Sequence, residues 1–259
     1  MRDVGLEILG QCLSRVLPFG ELEPPTLSVE NLKYRASDDV RIDIPDLKIS
    51  GRGISIILGT NGAGKSLLVR LLHGLVKADG CSVQIGGQPV HGKGRDLQAM
   101  VFQKPVLLRR SVAANLRFAM KVAGLAKADR EDRLSALIEL AGLDGKEKQP
   151  ARSLSGGEEQ CLALACALAR QPKMLFLDEP TSSLDPNATQ RIEMILHQAA
   201  TMGVRIVMVS HDLAQAERLA DEVLFVHKGT ITEKQSARAF FDAPNSVQAH
   251  AFLNGRLVI

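Results

Sequence analysis

The segment Gly59-Thr60-Asn61-Gly62-Ala63-Gly64-Lys65-Ser66 constrains this chain more than any other. It fits the pattern GxxxxGK[ST], in which glycines let the backbone close around phosphate groups with successive amide N–H groups pointing inward. The flanking residues supply the setting that pattern requires. Gly53-Ile54-Ser55-Ile56-Ile57-Leu58 is a short, β-branched apolar run bounded by glycines and reads as a fully buried strand. Leu67, Leu68, Leu71, Leu72 and Leu75 follow at helical spacing, with Asp79-Gly80 as the expected helix end. Strand, loop and helix together aim a helix dipole at bound phosphates. They put Lys65 against the β- and γ-phosphates as a point charge and the Ser66 hydroxyl on Mg²⁺. A chance glycine-rich turn explains the glycines but not their position between a buried strand and a helix.

A second apolar run, Met174-Leu175-Phe176-Leu177, ends in Asp178-Glu179-Pro180. Both acids emerge at the carboxyl end of a buried strand, where ligands bind in open α/β sheets. Alone, the triplet reads equally as a surface turn. Beside a phosphate loop, Asp178 is expected to hold Mg²⁺, directly or through water, and Glu179 to be the catalytic residue, as general base or water-positioner. Arg205-Ile206-Val207-Met208-Val209-Ser210 reads as a further buried strand, separated from the first by a helix over about 188–200. His211 then surfaces on the edge that carries Asp178 and Glu179, where an imidazole or imidazolium can hydrogen-bond a γ-phosphate and orient water. In another setting it would read as a capping or core histidine.

The 259 residues are 45% hydrophobic and 24% charged, with an even apolar spread that favours one compact unit. A net charge of +3, with the signs interspersed, implies no nucleic-acid partner. Residues 1–25 read as an appended amphipathic helix closed by Pro24-Pro25; Glu7, Gln11, Ser14 and Arg15 interrupt the apolar stretch, which excludes a signal peptide. Alternation at Leu27–Leu32 and at Val40, Ile42 and Ile44 predicts a small antiparallel sheet. Residues 104–172, poor in β-branched residues and rich in Ala, Leu, Arg and Glu, predict a separate helical lobe. Val223–Val226 and Thr230–Thr232 read as a hairpin, and 234–259 as a helical tail. Cys12, Cys81, Cys161 and Cys166 form no CxxC pair and read as free, buried thiols. No run of 18 apolar residues spans a bilayer, so the cytosol is the expected compartment.

Leu154-Ser155-Gly156-Gly157-Glu158-Glu159-Gln160 completes the set of motifs. Ser155 and the glycines would open a helix that presents a hydroxyl, bare N–H groups and a dipole end to an anion. A helix cap explains Ser155 but not two glycines, which cost helix stability. With this segment the chain resembles the nucleotide-binding domains of ATP-binding-cassette (ABC) transporters, over about 27–233. The resemblance implies an α/β fold: a P-loop NTPase core with a mixed central sheet, an N-terminal antiparallel β subdomain and an inserted helical subdomain within a domain over 26–233. It also implies a head-to-tail dimer, each ATP lying between Gly59–Ser66 of one copy and Ser155-Gly156-Gly157 of the other. Residue by residue, Gln103 resembles the glutamine that contributes to Mg²⁺ and water. Ser183-Leu184-Asp185 resembles the loop crossing the dimer seam, with Asp185 at the nucleotide. His211 resembles the switch histidine, and Tyr34 the aromatic that stacks on adenine, although the usual following glycine is absent and a strand-end tyrosine reads almost as well. Cys161 and Cys166 stand where the family commonly carries basic residues.

The resemblance further implies an ATPase that powers transport, with ATP and Mg²⁺ as cofactors. Its implied partners are transmembrane permease subunits and a separate solute-binding protein, and its implied place is peripheral, on the inner face of the cell membrane. Phe102–Val112 resembles the corresponding segment of oxyanion importers of the tungstate and phosphate type, and only about 25 residues follow Thr232, which argues against a large regulatory domain. Tungstate or another oxyanion is therefore the expected cargo. A non-transport ABC ATPase and a nucleotide-binding scaffold without turnover are the rival readings.

Overall fold

A computed structural model describes residues 2–17, 24–35, 41–78 and 80–256. In chain order the elements are α1 (Arg2–Val16), β1 (Leu27–Arg35), β2 (Arg41–Ile49), β3 (Ile54–Gly59), α2 (Lys65–His73), β4 (Ser82–Ile85), β5 (Gln88–Pro89) and β6 (Gln98–Val101). Then come α3 (Val112–Val122), α4 (Lys127–Ala141), α5 (Gly156–Leu168), β7 (Met174–Asp178), α6 (Pro186–Thr201), β8 (Arg205–Val209), α7 (Leu213–Leu219), β9 (Glu222–His227), β10 (Thr230–Ser236), α8 (Ala237–Asp242) and α9 (Val247–Leu253). Val40, Asp79, residues 18–23 of the N-terminal extension and 257–259 of the tail lie outside the described residues.

Among the described residues the strands form a four-stranded antiparallel sheet, β2-β1-β4-β5, and a six-stranded mixed sheet, β10-β9-β3-β8-β7-β6. In the larger sheet β9, β3, β8, β7 and β6 run parallel and only β10, paired to β9, is antiparallel. Pro45 is tolerated in β2 because β2 is an edge strand. The two-residue period of the inner strands sorts their side chains between two cores. Ile54, Ile56 and Leu58 of β3, Leu175 and Leu177 of β7 and Ile206 and Met208 of β8 join the core under α3–α6. Ile57, Met174, Phe176, Val207 and Val209 point the other way, into the core that α2 shares with the antiparallel sheet. Both faces are thus covered, which is why these strands read as unbroken apolar runs.

The helix α1 buries Leu9, Cys12, Leu13, Val16 and Leu17, spaced at i, i+3, i+4, i+7 and i+8, against α4 and α6. Arg15 pairs with Asp132 at 2.5 Å, and Gln171 Nε2 donates to the Val16 carbonyl at 2.8 Å. One boundary needs correcting: α2 stops at Gly74 rather than Asp79-Gly80. Gly74 adopts φ 80°, the Leu75 N–H bonds back to the Arg70 carbonyl at 2.9 Å, and Leu75, although in helical register, is 51% exposed. The helices of 104–172 begin only at Val112; Asn115 ties the preceding extended segment down by accepting from the Leu108 N–H at 2.8 Å.

Candidate functional site

The phosphate loop leaves β3 and enters α2, so its amides sit at a helix start whose dipole end favours anions. Gly64, at the N-cap of α2, adopts φ 93°, and a Cβ there would lie 2.8 Å from Ile42 Cδ1. Only glycine meets both conditions. The β9–β10 turn braces the loop, as the Gly229 N–H donates to the Ala63 carbonyl at 3.0 Å. Lys65 is 6% exposed and donates to the Gly59 and Thr60 carbonyls at 2.9 and 3.0 Å, so its ammonium lies inside the loop it serves. Burial lowers its pKa, partly opposed by the charges of Glu179 and Asp178.

The expected acids arrive beside it because β7 is parallel to β3 with β8 between them. Ser66 Oγ donates to Asp178 Oδ1 at 2.6 Å, and Arg70, four residues along α2, reaches Asp178 Oδ2 at 3.2 Å. Asp178 is 2% exposed. The Ser66 hydroxyl and the Asp178 carboxylate are hard oxygen donors in contact, a set suited to Mg²⁺ that takes its remaining ligands from water and phosphates. Among the described residues no group of three or more His, Cys, Asp or Glu side chains could hold a metal ion by itself.

Glu179 turns out of β7 with φ 46°, held by its N–H to the Val209 carbonyl at 3.1 Å. Its Oε2 meets His211 Nδ1 at 3.0 Å and Gln103 Nε2 at 3.4 Å. Gln103 follows β6 and His211 follows β8, on either side of β7 in the sheet. Loop lysine, serine, acid pair, glutamine and histidine therefore meet at one sheet edge; the strands before Lys65, Asp178 and His211 predict their places, whereas Gln103 is expected only from the family resemblance.

Ser155 caps α5: its Oγ accepts from the Glu158 N–H, and the Glu158 side chain accepts from the Ser155 N–H at 3.0 Å. The two glycines differ. A Cβ at Gly157 would lie 2.5 Å from Ala188 Cβ, so Gly157 is a packing requirement of α5 on α6. A Cβ at Gly156 would meet nothing within 4 Å, so no contact among the described residues accounts for that glycine. Asp185 caps α6, accepting from the Asn187 and Ala188 N–H groups at 2.9 and 3.0 Å. Tyr34 pairs with Ile42 across β1 and β2, and Ile42 packs on Gly64; the ring borders a cavity of about 360 Å³ with Lys33 and Arg41. Cys161 is buried and its thiol is pushed up to about 11, while Cys166 is half-buried and pushed up to about 12, both by burial. These positions have become apolar packing sites. Sequence reading missed Arg70, for which the i+4 spacing from Ser66 is the available signal, and the network around Gln215 described below.

Fold and site define a P-loop nucleotide-binding protein. The family model described as "ABC transporter" matches residues 43–182, more than half of the 259 residues, and the chain belongs to that family. Membership implies ATP binding. The chain is similar to the methionine import ATP-binding proteins MetN of Nocardia farcinica, 37% identical over 81% of this chain and 65% of that protein, and of Bacillus subtilis, 36% identical over 85% and 67%. It spans about two thirds of the length of these relatives. Among solved structures it resembles cbiO1 from Clostridium perfringens, part of the ABC transporter complex cbiONQ, with a TM-score of 0.74 at 27% identity over 85% of this chain and 92% of that one. An ATP-binding subunit of an ABC transporter gives 0.76 at 25% identity over 88% and 99%. These relatives do not support the oxyanion expectation, since their names give methionine and not tungstate or phosphate.

Proposed function

We propose that this chain is the ATP-hydrolysing subunit of an importer, working as a head-to-tail pair at the inner face of a membrane. The observation that supports this best is the contact of both Gln103 and His211 with the Glu179 carboxylate, one residue beyond the acid bonded to Ser66. Lys65 grips the β- and γ-phosphates, and the loop amides surround them. Ser66, Asp178 and Gln103 would hold Mg²⁺, which would neutralise charge on the phosphate oxygens. Glu179 accepts a proton from, or orients, the water that attacks the γ-phosphorus as the bond to ADP breaks. His211, with Nδ1 on Glu179, leaves Nε2 for the γ-phosphate. Gly156, with open space around it, offers its backbone with the Ser155 hydroxyl to the nucleotide of the second copy. Asp185 contributes at the seam, and Tyr34 stacks on adenine.

Among the described residues no helix is long and apolar enough to cross a membrane; the proposed membrane path is that of a partner permease. A cavity of about 280 Å³ opens between 99–108, α3 and α5, and beside it Val106, Phe118 and Val122 are 81%, 44% and 58% exposed. Such an apolar patch suits a permease segment. The relatives favour methionine, delivered by a separate solute-binding protein. In vesicles holding this subunit with its copurified permease, methionine is expected to stimulate ATP turnover and tungstate to leave it unchanged; the reverse would restore the oxyanion cargo. Phe118→Asp should lower permease recovery at least about 10-fold, since a charge in an apolar interface is costly. Undiminished recovery would remove the groove from this role.

A further inference from the structure

We infer that Gln215 is a positioning residue for hydrolysis, one that sets the two loops carrying Glu179 and His211 in register. The inference rests on the catalytic reading of those two residues given above. Gln215 lies on α7, is 2% exposed, and acts on both through their neighbours in the chain. Its side-chain amide instead joins three elements. Nε2 donates to Thr181 Oγ1 at 2.9 Å, two residues past Glu179, and to Glu193 Oε1 of α6 at 3.0 Å. Oε1 accepts from Ser210 Oγ at 3.0 Å, one residue before His211. The Gln215 N–H donates to Asp212 Oδ1 at 3.1 Å, one residue after His211. Arg218 closes the far side by donating to Glu193 Oε1 at 2.8 Å. Glu179, Thr181, Ser210, His211 and Gln215 all line one cavity of about 230 Å³, so the amide forms part of the wall behind the reacting groups.

The chemistry of the position favours an amide. It needs two donors and an acceptor on one planar group, which a neutral carboxamide supplies. A carboxylate there would lie 3.0 Å from Glu193 and repel it, and a methionine would leave Thr181, Ser210 and Glu193 without their shared partner. Glu179, held in a left-handed conformation, depends on what fixes the residues after it.

The test is Gln215→Met in the purified subunit, with Thr181→Val, the double variant and Glu179→Gln beside it. Gln215→Met is expected to lower kcat about 10- to 100-fold through misplacement of the reacting groups, with KM for ATP changed less than about twofold. The double variant is expected to be no slower than Gln215→Met alone, because Gln215→Met already breaks the Thr181 link that Thr181→Val removes. An unchanged kcat in Gln215→Met, a kcat loss matched by weakened ATP affinity, or additive losses in the double variant would overturn the inference. Retained turnover in Glu179→Gln would instead defeat the catalytic reading on which it rests.

Discussion

Glu179→Gln is expected to lower kcat for ATP hydrolysis by about 10²–10⁴-fold, the range general-base catalysis contributes, while ATP affinity stays within a few-fold. The carboxylate sits one residue beyond the acid bonded to Ser66, with His211 at 3.0 Å and Gln103 at 3.4 Å on the same oxygen. An amide of equal size fills the space and can still hydrogen-bond, but cannot take a proton from water. The loss therefore falls on the chemical step, since the groups that hold the triphosphate, Lys65 and the loop amides, are untouched. Single-turnover hydrolysis alongside equilibrium ATP binding separates the two effects. Equal rates in the variant and the parent would remove Glu179 from its role.

Lys65→Ala is expected to weaken ATP binding by about 10–100-fold, from the loss of a charge-assisted hydrogen bond contributing about 1.5–3 kcal/mol. Lys65 is 6% exposed and is held by two carbonyls of its own loop, so its ammonium is already desolvated and aimed before any nucleotide arrives. A triphosphate replaces those neutral partners with charged ones, and burial, which lowers the lysine pKa in the free chain, then strengthens the pairing. Calorimetric titration with ATP, on a variant whose unfolding transition matches that of the parent, measures the loss. Undiminished affinity would contradict the loop's role.

Much of this site was legible because the phosphate loop, the acid pair and His211 each follow a strand with an unbroken apolar run. Asp178, Glu179 and His211 take their places from β7 and β8, whose positions on the sheet edge follow from Met174–Leu177 and Arg205–Val209 alone. The antiparallel sheet and the helical insertion were equally plain from residue type. What stayed hidden had short or non-local signals. The strands β4 and β6 hold four residues each, too few to show a period. Leu75 keeps helical register, but Gly74 breaks the helix before it by a left-handed turn that spacing cannot report. The two glycines after Ser155 look alike in sequence and differ in cause, because Ala188, which crowds Gly157, is 31 positions away (188 minus 157). Gln215 joins Thr181, Glu193 and Ser210, a meeting that exists only after folding.

A nucleotide shared between two copies is the central proposal, and Gly156 supports it: a glycine at an exposed helix start where a Cβ would meet nothing within 4 Å among the described residues. Light scattering of the Glu179→Gln subunit during size-exclusion chromatography, with and without Mg²⁺ and ATP, tests it most directly. The expected result is a species of twice the 28.0 kDa chain mass when Mg²⁺ and ATP are present, reverting to 28.0 kDa when Gly156→Asp is added, which would set a carboxylate against the phosphates of the proposed partner site. A 28.0 kDa species at saturating Mg²⁺ and ATP, or a dimer indifferent to both nucleotide and Gly156→Asp, would contradict it.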